Sequence, residues 1–524
     1  MFRSPTRRFR VAAVAAALAV ALSLAACSGS SGPSTSGSAS AASNATDVLN
    51  LAIPAVAVTL DPAQMQPTTS RYVWGAVYES LAYWDPKTGV VTPWAAKKWS
   101  YSADGKTLTI TLRDGLTFSD GTAVHASDVA ATINNSVKTP GYMQSVQTAV
   151  DTVDAPSDKT VVVHFKYYDP KWVSLMGREV GVIAKASDLH SPDVATNGIG
   201  SGPYTLDLKA SVPGTKYVLQ KRKDYWDAKA FPFKTINVTI FNDPTAQLNA
   251  FKSGQINATM VTAQQQVAAK ATEGASITST TANTLYWLLF LDKFGKTANP
   301  EFKDVRVRQA VNYAIDREGI AKKLLQGLGT ATDQVFFPSR AVFESSLEKA
   351  YPYDPAKAKK LLAAAGYPNG FTISIPSSQA TQQYEPTLSQ ELGAVGITLK
   401  WTPIPESQTA SIILTGQYQL YLKQSGIVSD AYTAGLYFTP AGGTVNPEKY
   451  TDPTITDLYN KITTTTDPQK SIAIYKQLNE YAVKQALAAP VTMTSSLWAT
   501  SEGVAFVDQS GLPADIRQFG VAGK

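Results

Sequence analysis

The feature that most constrains the fold is a run of seven apolar or aromatic residues, Leu285 to Leu291, near the middle of the chain. Seven residues are too few to cross a membrane, which takes about 20, and this length suits a buried strand. After a polar loop, Asp304 stands before Val305, and apolar residues recur at helical spacing as far as Ile315. We therefore predict a core strand followed by an amphipathic helix that Asp304 caps and whose outer face is rich in arginine.

Local patterns predict several further elements. Asp-Pro pairs predict helix starts, because Asp supplies an N-cap oxygen and Pro suits the first helical turn. These pairs are Asp354-Pro355, Asp452-Pro453 and Asp467-Pro468. The segment from Tyr72 to Tyr83 has the apolar spacing of a helix. Apolar runs at 371–375 and 397–401 predict two strands that flank a helix in a βαβ-like unit.

The first 26 residues have the pattern of an export signal. Four arginines fall within the first ten residues, and an Ala/Val/Leu stretch from Val11 to Ala26 leads directly to Cys27, the single cysteine. This ending resembles a bacterial lipobox, so we expect Cys27 to carry lipid; an ordinary secretory signal with an incidental cysteine is the alternative. Residues 28–46 are almost wholly Ser, Gly, Ala, Thr and Asn, so we expect a flexible tether over 27–46.

Charge and motif content exclude several functions. The formal net charge of +6 falls to +2 once the four arginines at the start are removed, so we expect no nucleic-acid partner. The three histidines are scattered, and the sequence has no HExxH motif and no paired cysteines. We therefore expect no metal site and no cofactor. The sequence has no GxSxG elbow, which disfavours an α/β-hydrolase. The spacing of the acidic residues neither supports nor excludes a carboxylate pair for glycoside hydrolysis.

Several short motifs occur in a fixed order along the chain. They are Leu60-Asp61-Pro62, Tyr78-Glu79-Ser80-Leu81, the Asp-Gly turns within 104–121 with Ala126-Ser127-Asp128-Val129 after them, Gly198 to Tyr204, Lys223 to Asp227, Asp304 to Arg317, and Tyr353 to Gly370. Together they resemble the family 5 extracellular solute-binding proteins, the peptide- and nickel-binding partners of ABC importers. The resemblance covers about residues 48–504.

The resemblance implies an α/β protein with the periplasmic-binding-protein-like fold of type II (cluster C), in which two lobes and an extra inserted domain are joined by a hinge. Domain I would comprise residues 47–84, 197–281 and 488–524, domain II residues 85–196, and domain III residues 282–487. Val491 to Met493 would carry the chain back to the first lobe.

The resemblance also implies a function. Such a chain would be a monomer, lipid-anchored at Cys27 on the extracytoplasmic face of the membrane. It would capture a small solute and deliver it to the permease subunits of an ABC transporter, and it would not be an enzyme. Family frequency favours an oligopeptide or dipeptide; a sugar, an opine or a metal chelate is the alternative solute. A surface-anchored hydrolase, or a receptor that signals solute without transport, is the alternative function.

Most candidate ligand-binding residues are aromatic, because aromatic side chains combine a large contact area with a polar atom. They are Tyr72, Trp74, Trp226, Tyr286, Trp287, Tyr432 and Tyr437. Most aromatic residues of any chain pack in its core, and a core position in the hinge strand is the alternative for Trp287.

One acidic residue is added to these candidates. Asp430 is the only acid in the loop predicted from Ser425 to Tyr432. The resemblance implies that it pairs with the α-amine of a peptide, and a solvated loop carboxylate is the alternative. Nothing in the sequence selects the cation for a ligand carboxylate, although Arg178 and Arg340 are available.

Overall fold

The computed structural model describes residues 47–54, 56–84, 90–293, 300–378, 380–405, 408–426, 429–439, 445–508 and 514–523. The predicted signal peptide, the tether and Cys27 lie outside the described residues. Within the described ranges, every helix is too short or too polar to cross a membrane.

The β-strands are numbered in chain order. They are β1 Val48–Pro54, β2 Ala82–Trp84, β3 Val91–Pro93, β4 Ala96–Tyr101, β5 Thr107–Leu112, β6 Val150–Ser157, β7 Thr160–Phe165, β8 Tyr204–Leu206, β9 Lys216–Lys221, β10 Thr235–Phe241, β11 Ala258–Val261, β12 Ser276–Ser279, β13 Thr284–Phe290, β14 Gly329–Thr330, β15 Phe371–Ser377, β16 Ile397–Pro403, β17 Leu420–Gly426, β18 Ala488–Thr494, β19 Leu497–Thr500, β20 Val504–Phe506 and β21 Phe519–Val521.

The α-helices are numbered in the same way. They are α1 Arg71–Val77, α2 Ala126–Lys138, α3 Tyr142–Val146, α4 Trp172–Met176, α5 Pro244–Lys252, α6 Gln266–Lys270, α7 Val305–Ala314, α8 Arg317–Gly319, α9 Pro355–Ala364, α10 Glu385–Gly393, α11 Thr409–Leu414, α12 Asp430–Tyr437, α13 Pro453–Ile462 and α14 Pro468–Lys484.

Three sheets organise the molecule. The large sheet has the order β12-β19-β11-β1-β10-β9-β8, and β1 runs parallel to both β10 and β11. The insert sheet has the order β4-β5-β7-β6 and is antiparallel throughout. The central sheet has the order β14-β18-β13-β17 and is also antiparallel. The α/β fold with several sheets agrees with the expectation from sequence.

The predicted core strand is β13, at the middle of the central sheet. Its side chains alternate between two cores: Leu288 and Phe290 pack on one face, and Leu285 and Leu289 on the other. All of Leu285 to Phe290 are buried. A strand with a core on each face needs apolar residues at every position, which explains the continuous run in the sequence.

The chain crosses between the large and central sheets at two adjacent places, after β12 and after β18. The backbone N–H of Thr280 donates to the carbonyl of Ser496 at 2.9 Å, and the N–H of Ser496 donates to Thr280 Oγ1 at 2.9 Å. The N–H of Asn283 donates to the carbonyl of Thr494, also at 2.9 Å. These two segments, 280–283 and 494–496, are called the crossing segments below.

Helix starts follow the predicted chemistry. Asp304 accepts a hydrogen bond from the N–H of Arg306 and caps α7. Asp354, Asp452 and Asp467 cap α9, α13 and α14 in the same way, each followed by Pro in the first turn. The predicted βαβ-like unit is also confirmed, because β15 and β16 pair in parallel and α10 lies between them in the chain.

Other local predictions were wrong. The helix predicted from Tyr72 to Tyr83 ends at Val77, because Tyr78 has extended backbone angles and the chain soon enters β2. Residues 491–493 belong to β18 and pair with β13, so the chain returns to the large sheet only after Thr494.

The prediction of an arginine-rich outer face on α7 was also wrong. Arg306 is exposed, but Arg308 is only 3% exposed. The Arg308 guanidinium donates to the carbonyl oxygens of Phe302, Gln485 and Ala486, at 2.7 to 3.2 Å. It therefore satisfies carbonyl groups at the end of α14, which a helix leaves without internal partners.

Candidate functional site

Two of the predicted ligand-binding residues lie in the core beside the large sheet. Tyr72 is 2% exposed, and its hydroxyl donates to Gln518 Oε1 at 2.8 Å. Trp74 is fully buried, and its Nε1 donates to the carbonyl of Gln66 at 3.3 Å. The polar atoms of both side chains are therefore already bonded inside the protein.

Trp226 belongs to a cluster around a buried carboxylate. Its Nε1 donates to Glu79 Oε1 at 2.6 Å, and the hydroxyl of Tyr225 donates to the same oxygen at 2.8 Å. The Trp226 ring contacts the Trp94 ring at 5.1 Å, and the guanidinium of Arg113 lies 4.0 Å from its centre. Burial raises the pKa of Glu79 to about 7, and the two donors oppose that shift.

Tyr432 lies where α12 meets helices beside the insert sheet. The hydroxyl of Ser429, the N-cap of α12, donates to the hydroxyl oxygen of Ser174 on α4 at 2.9 Å. The Tyr432 hydroxyl is 3.4 Å from that of Tyr142 on α3. Although α12 follows a strand of the central sheet, Tyr432 packs into the core of the insert sheet. These four residues, with Arg178, are called the interface cluster.

Arg178 brings a buried charge to the interface cluster. It is 6% exposed, and its guanidinium carbon lies 5.8 Å from the centre of the Tyr432 ring. Its Nε is 3.3 Å from Glu179 Oε2, and Glu179 Oε1 accepts a hydrogen bond from Tyr142 at 3.0 Å. Burial is the largest single effect on Arg178 and acts to lower its pKa, but Glu179, Tyr142 and Tyr432 together outweigh burial and raise the pKa. Both signs of charge are therefore held at this contact.

Asp430 lies beside the interface cluster. It is the first residue of α12 rather than a loop residue as predicted, because Ser429 caps the helix by accepting from the N–H of Tyr432. Burial raises the pKa of Asp430 to about 6, and the positive charge of Arg340 opposes the shift. Arg340 is 8% exposed, and its guanidinium lies 5.1 Å from the centre of the Trp84 ring.

Tyr286 and Trp287 point to opposite faces of β13. Tyr286 packs against Tyr384, with ring centres 4.6 Å apart, in one of the two cores. Trp287 packs against Tyr437 at 4.9 Å, and its Nε1 donates to Ser425 Oγ at 3.1 Å. Trp287 is 2% exposed, and together with Tyr437 it lines a cavity.

The structure thus brings some candidates together and separates others. Asp430 and Tyr432 lie at one end of α12, and Trp287 and Tyr437 lie at the other end. Trp226 packs against the core that contains Tyr432, and the remaining candidates, Tyr72, Trp74 and Tyr286, pack in other cores.

Sequence reasoning did not select the partners of α12. The sequence offers Arg178 and Arg340 only as available cations, and Tyr142 and Ser174 lie outside the motifs that it contains. Their local sequences carry no signal of a site, because each owes its position to contacts with a helix far along the chain.

Comparisons with known proteins agree on one family. Residues 90–446 match the family described as "Bacterial extracellular solute-binding proteins, family 5 Middle". The glutathione-binding protein GsiB of Salmonella typhi is 27% identical over 392 residues, which cover 73% of this chain and 73% of that protein.

Solved structures show the same fold. The protein DppA from Helicobacter pylori, in complex with the peptide STSA, superimposes with a TM-score of 0.79 at 20% identity, covering 90% of this chain and 98% of that one. The protein AgaA from A. tumefaciens R10, in complex with agropinic acid, gives a TM-score of 0.78 at 23% identity, covering 91% and 99%.

Proposed function

Because the chain belongs to the bacterial extracellular solute-binding proteins of family 5, we propose that it captures a short peptide between two lobes and delivers it to an ABC permease. The first lobe comprises the large and insert sheets, and the second comprises the residues from β13 to β18. The domain division expected from sequence is kept, except that residues 488–494 join the second lobe because β18 pairs with β13.

The observation that supports this proposal most is the contact that α12 makes. The helix belongs to the second lobe, yet Tyr432 packs in the core of the insert sheet and Ser429 is bonded to Ser174. Two lobes joined by the crossing segments, and in contact at α12 and where Arg340 lies over the Trp84 ring, have the arrangement of a closed binding protein. A solute held between them would favour this closed form by its extra affinity for it.

The charges at the contact suit a zwitterion. The Oδ1 atom of Asp430 is buried and has no hydrogen-bond partner among the described residues, so it would accept a hydrogen bond from a peptide α-amine. Such a bond gains strength where water is excluded. Two buried cations lie beside α12, Arg340 near Asp430 and Arg178 near the Tyr432 ring, and either fits the α-carboxylate. Tyr432 supplies an apolar wall with a polar end.

Two names among the similar proteins also support a peptide. GsiB is named as a glutathione-binding protein, and DppA is described with the peptide STSA. AgaA is described with agropinic acid, so an opine is the second candidate solute.

The proposal is tested with the mature protein purified under gentle conditions. Mass spectrometry of the co-purified solute should find short peptides, and calorimetry with those peptides should give saturable binding. The peptides should be recovered with unchanged mass after a long incubation, which separates a binder from a hydrolase. Recovery of only opines, sugars or metal chelates would contradict the peptide proposal and leave solute binding intact.

The membrane attachment and oligomeric state are part of the same proposal. A lipid at Cys27 would hold a monomer at the outer side of the membrane, which keeps the released peptide close to its permease. Detergent extraction followed by intact-mass analysis should show the acyl mass on the parent protein. Cys27→Ser should abolish that mass and release the protein from the membrane fraction.

A further inference from the structure

One turn of the second lobe reaches the core of the first lobe. It covers residues 325–329, between a π-helical segment, Ile320–Leu324, and β14, and is called the bridging turn below. Leu325 is buried in the core of the second lobe. Leu328, three residues later, is half-buried against the core that α5 and α6 form with the large sheet. The bridging turn therefore places two leucines in the cores of two different lobes.

The bridging turn is fixed to the second lobe. The N–H of Leu325 donates to the carbonyl of Ile320 at 3.0 Å. The turn also packs closely, since a Cβ atom at Gly329 would lie 2.5 Å from Leu325 Cδ1 and 2.8 Å from Thr492 Oγ1. Gln326 has a φ of +51°, a left-handed conformation that a side chain keeps only where surrounding contacts impose it. The turn should therefore move with the second lobe as one body.

A hydrogen bond also ties the bridging turn to one of the crossing segments. The N–H of Ser495 donates to the carbonyl of Leu328 at 3.0 Å. Ser495 lies between β18, a strand of the central sheet, and β19, a strand of the large sheet. Leu328 is thus held beside the place where the chain passes from one lobe to the other.

The register of the central sheet shows where the bridging turn lies relative to α12. Its four strands end in a row of four residues, Gly426, Thr284, Thr494 and Gly329. Neighbouring strands lie about 4.8 Å apart, so the row is about 14 Å long. Thr284 and Thr494, in the middle, adjoin the crossing segments. Gly426 precedes the N-cap of α12 by three residues, and Gly329 follows Leu328. The crossing segments therefore lie between the α12 contact and the Leu328 contact.

This order makes the second lobe a lever. When the lobe turns about the crossing segments so that α12 leaves the insert sheet, the other edge of the central sheet moves towards the large sheet. Leu328 already contacts the core there, and a packed core resists added volume. The side chain therefore opposes wide opening, and it also adds contacts to the closed form. A shorter side chain would favour the open form for both reasons.

We propose that Leu328 is a positioning residue for solute capture, a stop that limits the opening of the two lobes and so sets the affinity for the solute. The inference rests on the proposed function, because it needs two lobes that open and close. A solute that binds the closed form has a lower apparent affinity when the open form gains population. Leu328 acts through the crossing segments and not through contact with the solute.

The test compares Leu328→Ala with the parent, using the full mature protein freed of solute by dialysis. Small-angle scattering of the ligand-free variant should give a larger radius of gyration than that of the parent. Calorimetry with Ala-Ala-Ala at pH 7 should give an affinity that is at least about 5-fold weaker, the low end for coupling between separate sites. At saturating peptide the two proteins should scatter alike, because both are then closed.

Two further variants separate the stop from general stability. Leu361→Ala removes a leucine that is half-buried against the second lobe's own core. It should lower the melting temperature and leave the ligand-free radius and the affinity unchanged. Leu328→Met should behave as the parent does, because methionine fills a similar volume. Equal ligand-free radii for Leu328→Ala and the parent, or the same increase in Leu361→Ala, would overturn the stop.

Failure of the peptide proposal gives a different result. If Ala-Ala-Ala gives no binding signal with the parent, the ligand-free scattering still decides the question of the stop. A larger radius in Leu328→Ala, and not in Leu361→Ala, then supports the stop without a peptide. Equal radii for all the variants overturn it.

Discussion

The hydroxyl oxygens of Ser174 and Ser429 lie 2.9 Å apart, although 255 residues separate them in the chain. Ser174 is on α4 beside the insert sheet, and Ser429 caps α12. The same Ser429 hydroxyl that starts the helix therefore also fixes its contact with the other lobe. Any opening of the proposed cleft must break this hydrogen bond.

A disulfide between these positions should lock the closed form. The variant carries Ser174→Cys, Ser429→Cys and Cys27→Ser, so that the two new thiols are alone. Oxidation should join them, because the two hydroxyl oxygens that the sulfur atoms replace lie 2.9 Å apart. Small-angle scattering of the oxidised protein should then be the same with and without peptide. The variants with only one of the two new cysteines are the controls, because they cannot form this disulfide. If the scattering of the oxidised protein still changes when peptide is added, the two-lobe mechanism is contradicted.

Asp430 should control the affinity for a free α-amine. Asp430→Asn should weaken binding of a peptide with a free amino terminus by about 10- to 100-fold, the loss expected for a hydrogen bond to a charged group. An N-acetylated peptide should show little difference between parent and variant. Asp457→Asn is the control, since Asp457 is exposed on α13. Equal losses for both peptides would argue that Asp430 acts only on the fold.

The affinity for peptides should also depend on pH. The raised pKa of Asp430, about 6, means that the carboxylate gains a proton as the pH falls through 6. Peptide affinity measured by calorimetry should therefore fall between pH 7 and pH 5 in the parent protein. In Asp430→Asn the fall in affinity between pH 7 and pH 5 should be absent. If the affinity of this variant still falls over that range, a group other than Asp430 causes the pH dependence.

Glu79 should make the fold less stable at high pH. Its pKa in the folded protein is about 7, above the usual 4.5, so the folded state holds the proton to higher pH than the unfolded state. Stability is therefore lost as the pH rises from 4.5 to 7. The free energy of unfolding of Glu79→Gln should therefore improve relative to that of the parent as the pH rises. Between pH 5 and pH 8 the difference between the two proteins should change by about 2 to 3 kcal/mol. Denaturant unfolding measures this, and Glu318→Gln on the surface is the control.

Lys293 should show the opposite dependence. Burial lowers the pKa of Lys293 to about 7 from the usual 10.5, so the unfolded state binds its proton at a higher pH than the folded state. The cost of the buried charge therefore grows as the pH falls from 10.5 to 7 and is constant below 7. Lys293→Met should raise the melting temperature most at pH 6 and least at pH 10. A gain that is the same at every pH would mean that the ammonium group is not buried as described.

The features that sequence predicted correctly depend on neighbours along the chain. A strand apolar at every position is buried on both faces wherever it lies, and β13 confirms this from Leu285 to Phe290. Asp before Pro caps a helix because its side chain accepts a hydrogen bond from a backbone N–H in the first turn, as Asp354 does from Lys357 in α9. Family membership could also be recognised, because its motifs are local and occur in a fixed order.

Arg308 shows where local reasoning fails. Its spacing on α7 resembles that of an exposed residue, but the end of α14 covers it and its guanidinium satisfies carbonyl groups there. Helical periodicity describes which side of a helix a residue occupies. It does not tell which part of another helix packs against that side.

The sequence by itself determined the fold class, the family and most helix starts, because these are set by hydrophobic periodicity and by hydrogen bonds between near neighbours. Only the tertiary structure decided that Ser429 and Tyr432 meet Ser174 and Tyr142. Such contacts join residues hundreds of positions apart. Their partners are chosen by how the sheets and helices pack, and no local pattern along the chain records that choice.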